Sequence, residues 1–143
     1  MDESLLEIRE YDGEGYQPLV DHAGWRVAFL RYIDELLPER IEAMERHVET
    51  DEVFVLLNGA GTLLLGGNAA GVDEIASQAM EPGKIYNVKR NSWHTILLSR
   101  DATVLLVENR DTGPQNSEYV RLTPEQRQSI LEIAQQSTDS TLI

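Results

Sequence analysis

The tetrapeptide Asn58-Gly59-Ala60-Gly61 separates two apolar runs, Glu52 to Leu57 and Thr62 to Leu65. Asn-Gly between such runs is a strong hairpin signal, because both residues tolerate the left-handed backbone of a tight turn. Segments with strand composition lie on either side: Trp25 to Tyr32, Ile75 to Met80, Lys84 to Val88, Trp93 to Ser99 and Thr103 to Glu108. Gly66 to Asp73 is a second turn region. Short strands at close, regular spacing, with no helices between them, predict an all-β sandwich or barrel. Arg40 to His47 is open on period alone. As a strand it places Ile41, Ala43, Glu45 and His47 on one face. Its Glu and Met content, with Pro38 at a first turn, suits a helix equally well.

The period changes near the C-terminus. Thr123 as N-cap, Pro124 at the first helical position and Gln126 completing a capping box predict a helix from Pro124 to Gln136. Its apolar face, Ile130, Ile133 and Ala134, is expected to pack against the barrel or a second subunit. A chain of 143 residues reads as one domain over 1–143, with a barrel core over about 25–109. Such a domain buries about 70% of its unfolded surface and needs no staple in order to fold. The absence of cysteine excludes a disulfide-rich scaffold. Twelve Lys and Arg against twenty-five Asp and Glu give a net charge of −13, which opposes nucleic-acid binding and suits solubility. The N-terminus lacks a basic stretch leading into an apolar run, and the apolar runs fall short of the roughly 20 residues of a membrane span. The expectation is a cytoplasmic protein without membrane or nucleic-acid partners.

Two of the three histidines, His47 and His94, sit beside acidic residues in strand-like segments. On a strand, Glu45 and His47 project from one face, and Glu52 opens the next strand. A barrel can bring these three and His94 together, because inward residues of neighbouring strands meet around its axis. Two imidazoles with carboxylates suit a divalent ion such as Fe, Mn, Ni or Zn. Tyr86, Trp93, Phe54 and Leu56 are candidates to line the same space, and Arg26, Arg31 or Arg100 to hold a substrate carboxylate. His22 reads as part of a turn, Asp21 to Gly24, and Glu108 to Gly113 as a polar turn after the last strand.

The stretch Glu45 to Gly59 resembles the first motif of the cupin family, His-x-His followed by Glu and Gly; Gly83 to His94 resembles the second, which runs from Gly through Pro-x-Gly to His. The resemblance implies a double-stranded β-helix (jelly-roll barrel), so Arg40 to His47 is expected as a strand. It implies that His47, Glu52 and His94 are metal ligands, with Gly59 closing the first motif and Gly83 opening the second. The chain departs from the pattern at three places. Glu45 replaces the first His, Lys89-Arg90-Asn91 replaces Pro-x-Gly, and Leu98 stands where Asn is frequent. Asn91 can still adopt the left-handed turn conformation. Glu45 is either a fourth ligand or a base beside the metal. The implied function is a small-molecule site for a carboxylated or sugar-like molecule, in a metal-dependent enzyme with Glu45 or Tyr86 in acid–base roles. The alternatives are a non-catalytic binding or sensing module without metal and a metal-free epimerase-like barrel. The resemblance also implies a homodimer, to which Leu5, Leu6 and Ile8 would add a strand.

Overall fold

The computed structural model describes residues 1–141, with side chains in the terminal helix as far as residue 137. Ten strands form two five-stranded antiparallel sheets. They are β1 (Gly15–His22), β2 (Trp25–Arg31), β3 (Ala43–His47), β4 (Glu52–Asn58), β5 (Gly61–Leu65), β6 (Ala76–Ala79), β7 (Tyr86–Val88), β8 (His94–Leu98), β9 (Thr103–Asn109) and β10 (Ser117–Arg121). The first sheet has the order β1-β2-β9-β4-β7 and the second β10-β3-β8-β5-β6. Helix α1 (Pro124–Thr141) follows. This is the expected jelly-roll architecture.

The turn at Asn58-Gly59 is present, but it does not close a hairpin. β4 belongs to the first sheet and β5 to the second, so the chain changes sheets there. A second sheet-changing turn, between β8 and β9, fastens it. Ser99 N–H donates to Ala60 O at 2.9 Å and Ala60 N–H to Ser99 Oγ at 2.8 Å. Gly59 has φ +76°, and a methyl group there would meet Ala102 Cα at 2.6 Å. The Asn-Gly signal reports a left-handed turn; which strands it joins is decided by the partners those strands find.

Arg40 to His47 takes the strand reading, and helix is confined to the turn that leads into it. Pro38–Arg40 is one turn of 3-10 helix, and the strand begins at Ala43. The strands extend beyond 25–109 on both sides, because β1 and β10 are edge strands whose sequences hide them. β1 carries Pro18 at a register shift, and β10 is polar and largely exposed. His22 ends β1 and pairs with Trp25 across the Ala23-Gly24 turn. Asn91 has φ 69°, the conformation anticipated for the residue replacing glycine. Leu5, Leu6 and Ile8 are exposed and add no strand to these sheets. No helix among the described residues is long and apolar enough to cross a membrane.

Alternation along each strand divides the core in two. Phe54, Leu56, Leu63, Ile96, Val104 and Leu106 face inward between the sheets. On the outside of the second sheet, Met44, Leu64, Trp93 and Leu97 pack with Leu122 and Ile130 under α1. The helix starts with the expected box: Gln126 N–H donates to Thr123 Oγ1 at 3.2 Å, and Thr123 N–H to Gln126 Oε1 at 2.9 Å. It covers the barrel wall and continues past Gln136.

Gly83 has φ +83° but nothing within 4 Å of an added methyl. Gly83→Ala should therefore cost about 1 kcal/mol of unfolding free energy through backbone conformation alone. Gly59→Ala, which adds the collision with Ala102, should cost about 2–3 kcal/mol in the same denaturant titration. Equal costs would contradict a tight sheet-changing corner.

Candidate functional site

Four strands from both sheets deliver acidic and imidazole side chains to one point inside the barrel. β3 presents Glu45 and His47 inward, while Met44 packs in the outer cluster and Arg46 stacks on Trp93 outside, 4.3 Å from its ring centre. β8 places His94 opposite Glu45. β4 starts with Glu52, on the inward parity of Phe54 and Leu56. β9 contributes Glu108, on the inward parity of Val104 and Leu106. One step beyond the pair Val53↔Val107, Glu52 and Glu108 face each other across β4 and β9. The structure thus gathers Glu45, His47, Glu52 and His94, and adds Glu108. In sequence Glu108 looked like the start of a polar turn, yet the period-2 run Val104, Leu106, Glu108 was the signal that would have placed it inside.

A single oxygen organises the cluster. His47 Nε2 and His94 Nε2 each lie 3.2 Å from Glu52 Oε1. Both are 3.9 Å from Glu45 Oε1, and His47 Nε2 is 4.0 Å from Glu108 Oε2. The far side of each ring is also held. His94 Nδ1–H donates to the Ser92 carbonyl at 3.0 Å, and His47 Nδ1 lies 2.8 Å from Ser117 Oγ on β10. A carbonyl only accepts, so Nδ1 of His94 carries a proton, and the ring meets the Glu52 carboxylate as an imidazolium that donates from Nε2 as well; on losing that second proton it turns an Nε2 lone pair into the cluster. The Tyr16 hydroxyl, from β1, donates to Glu108 Oε1 at 2.6 Å.

The charges follow from this packing. Burial lowers the pKa of both imidazoles, but the hydrogen bond and charge of Glu52, with Glu45 behind it, outweigh burial and raise both above 6.5. Burial raises Glu52, but hydrogen bonds from His47 and His94 hold it below the usual carboxylate range. Glu108 is pushed up to about 7, first by burial and then by the charge of Glu52, with which it hydrogen-bonds. Two carboxyl groups in contact share a proton more readily than both ionise.

The cluster lies on a cavity of about 450 Å³, within the roughly 300–1,000 Å³ of small-molecule sites. Phe54 lines it, and Leu30, Ile96 and Leu106 supply further apolar wall. Tyr86 does not line it: its hydroxyl accepts the Glu81 N–H at 2.8 Å. Trp93 faces the outer cluster, with its indole N–H on Ala69 O. Arg26 pairs with Asp21, Arg31 donates to Gly13 O and Thr103, and Arg100 stacks on Tyr32. None of these three arginines lines the cavity.

The donor set fits a metal ion. Ligand bonds of about 2.1 Å set neighbouring donors about 3.0–3.4 Å apart in octahedral or tetrahedral geometry. The separations of 3.2 Å between Glu52 and the two rings match, and Glu45 and Glu108 stand slightly further out. Glu45, His47 and His94, and likewise His47, Glu52 and Glu108, each offer donor atoms within 4.8 Å of one another.

No protein-family model matches the chain, and no curated protein matches it. Solved structures do. Pac13 from Streptomyces, described as a nucleoside dehydratase, is 14% identical over 80% of this chain and 86% of its own, with a TM-score of 0.52. A variant of it solved with uridine is 15% identical over 80% and 85%, with a TM-score of 0.53. KdgF from Halomonas sp. is 13% identical over 70% and 81%, and WlaRA from Campylobacter jejuni, a TDP-fucose-3,4-ketoisomerase, 13% over 65% of both chains; both have TM-scores of 0.50. At these identities the likeness is one of fold.

The cluster gives metal-free protein a defined pH dependence. The raised imidazoles contribute stability that is full below about pH 6.5 and lost as pH rises through their folded values. Glu108, with a folded value near 7 against an ordinary 4.5, also favours the protonated side. Melting temperature in EDTA should fall by about 5 °C between pH 6 and pH 9. Glu52→Gln withdraws the charge that raises both rings and should flatten the fall; an unchanged slope would remove Glu52 from the explanation.

Proposed function

We propose that this chain, whose fold is that of the cupins, holds a divalent transition-metal ion on His47, His94 and Glu52 and uses the cavity beside it to bind a small sugar-like molecule. The observation that carries this reading is the convergence of both Nε2 atoms on Glu52 Oε1 at 3.2 Å, with the opposite ring nitrogens already engaged. Such outer hydrogen bonds orient imidazole ligands and fix the tautomer that binds metal. Imidazole with carboxylate suits Fe, Mn, Ni or Zn. Glu45, at 3.9 Å from both rings and on the exposed side, is the further oxygen ligand or a base facing the bound molecule. When bound, the ion would supply Lewis acidity toward a ligand oxygen. The chain's own residues would do the rest. Phe54, Leu30 and Ile96 exclude water from one side of the ligand. Glu108, held by Tyr16, keeps a proton at its carboxyl close to neutral pH, where an acid–base group is effective. Tyr86, bonded to the Glu81 backbone, has no part in this scheme.

A second reading keeps the same residues without an ion. The cluster is fully hydrogen-bonded as it stands, and no buried side-chain polar atom among the described residues lacks a partner. A His–Glu–His relay, with both rings on one carboxylate, can move protons by itself. The enzymes of similar fold named above act on a nucleoside and a sugar nucleotide, which supports a sugar-like ligand under either reading.

Metal titration separates the two. Protein stripped with EDTA and dialysed should take up one equivalent of Mn, Fe(II), Ni or Zn, measured by calorimetry and elemental analysis. His47→Ala, His94→Ala and Glu52→Gln should each abolish uptake. Ser117→Ala, which removes the partner of His47 Nδ1, should weaken it by about tenfold to a hundredfold while leaving the melting temperature nearly unchanged. Absence of uptake of all four metals by the native chain would leave the metal-free relay.

A further inference from the structure

The charge of the cavity narrows what it can hold. Three carboxyl groups, Glu45, Glu52 and Glu108, face it against two imidazoles, His47 and His94, and no Lys or Arg among the described residues lines it. Arg26 and Arg46 adjoin residues of its lining, and both are already paired. Arg26, which hydrogen-bonds the Tyr16 hydroxyl, pairs with both oxygens of Asp21 at 2.7 and 3.0 Å. Arg46 lies outside the sheet, on Glu118 and Trp93. A divalent ion would offset the carboxylates without leaving surplus positive charge, and the whole chain carries −13. An anion entering here would meet carboxylates in a low-dielectric space with no guanidinium or ammonium to receive it. A hydroxyl would meet acceptors on several sides. The rest of the lining suits rings: Tyr16 and Tyr119, both part-exposed, lie on β1 and β10, the edge strands of the two sheets, and Phe54 stands further in.

We propose that the cavity selects an uncharged, polyhydroxylated ring compound, of the class of nucleosides and neutral sugars, and rejects the phosphorylated and acidic members of the same series, with Glu45 at the opening as the discriminating charge. Of the two ligand classes open on sequence, the charge of the cavity favours the sugar-like one over the carboxylated one. The inference deepens the reading of this cavity as a sugar-binding site and rests on it.

The test compares ligands that differ in charge. Calorimetric titrations of uridine against uridine 5′-monophosphate, and of glucuronamide against glucuronate, are run on EDTA-treated and on Mn-loaded protein. In at least one pair the neutral member should bind about tenfold or more tightly than its anion. Glu45→Gln should reduce that ratio by about threefold or more. Glu125→Gln, which removes an equal charge from the start of α1, should leave it unchanged. Anions that bind as tightly as their neutral partners in both pairs would overturn the inference, as would no binding by any of the four. A ratio equally altered by Glu125→Gln would also overturn it, since that outcome reports overall charge and not the cavity. Failure of Mn binding with a persisting neutral preference refutes the metal alone. Mn binding without the preference refutes the selectivity alone.

Discussion

A carboxylate buried between two imidazoles is the constraint around which this barrel is arranged. Glu52 is 5% exposed, and an unpaired charge at that depth would be prohibitive. It is tolerated because His47 and His94 both reach its Oε1. Those rings come from the second sheet and Glu52 from the first. The ionic contact therefore bridges the two sheets at a place where the core would otherwise be Phe54, Ile96 and Leu106. Losing one partner leaves a buried charge short of compensation, so the cluster ties the relative position of the sheets to its own geometry.

The outer faces are arranged to protect that position. The second sheet cannot leave its far side in water, because Met44, Leu64, Trp93 and Leu97 project from it. Helix α1 covers them with Ile130 and its neighbours. Arg46, next in the chain to His47, lies over Trp93 and reaches the Ala69 carbonyl, so the strand carrying the inward side chains of Glu45 and His47 is pinned from behind. Edge strands complete the assembly: β10 gives Ser117 to His47, and β1 gives Tyr16 to Glu108. Edge strands with weak sequence signals of regular structure thus set the orientation of two of the central groups.

Much of this was legible from residue order. Alternation through Ala43, Glu45 and His47 placed both side chains on one face, and the resemblance to cupins joined them to Glu52 and His94, as the geometry does. The capping box at Thr123 appeared where it was read. A polar residue between a strand and a turn satisfies both patterns, so Glu108 is ambiguous in sequence; the alternation Val104, Leu106, Glu108 gives its face, and the register of β9 against β4 sets it beside Glu52. Closeness in sequence to His94 does not bring Tyr86 and Trp93 to the cavity. Tyr86 sits on the short edge strand β7, beyond β4, and Trp93 points outward by the same alternation that sends His94 in.

Sequence alone determined the local quantities: period-2 strands, turns at Asn58-Gly59 and at Asn91, the capped helix, and the acidic and imidazole content of one strand face. Those depend on steric and hydrogen-bonding preferences of neighbouring residues, which chain order states directly. Tertiary structure alone decided the long-range ones. It sent β4 and β5 to opposite sheets, brought Glu108 to the cluster and Ser117 behind His47, and kept every arginine out of the cavity. Pairing between strands distant in sequence is chosen by competition among many sheet edges with similar local propensity. The winner is the arrangement that buries both apolar faces while leaving Glu52 its two imidazoles.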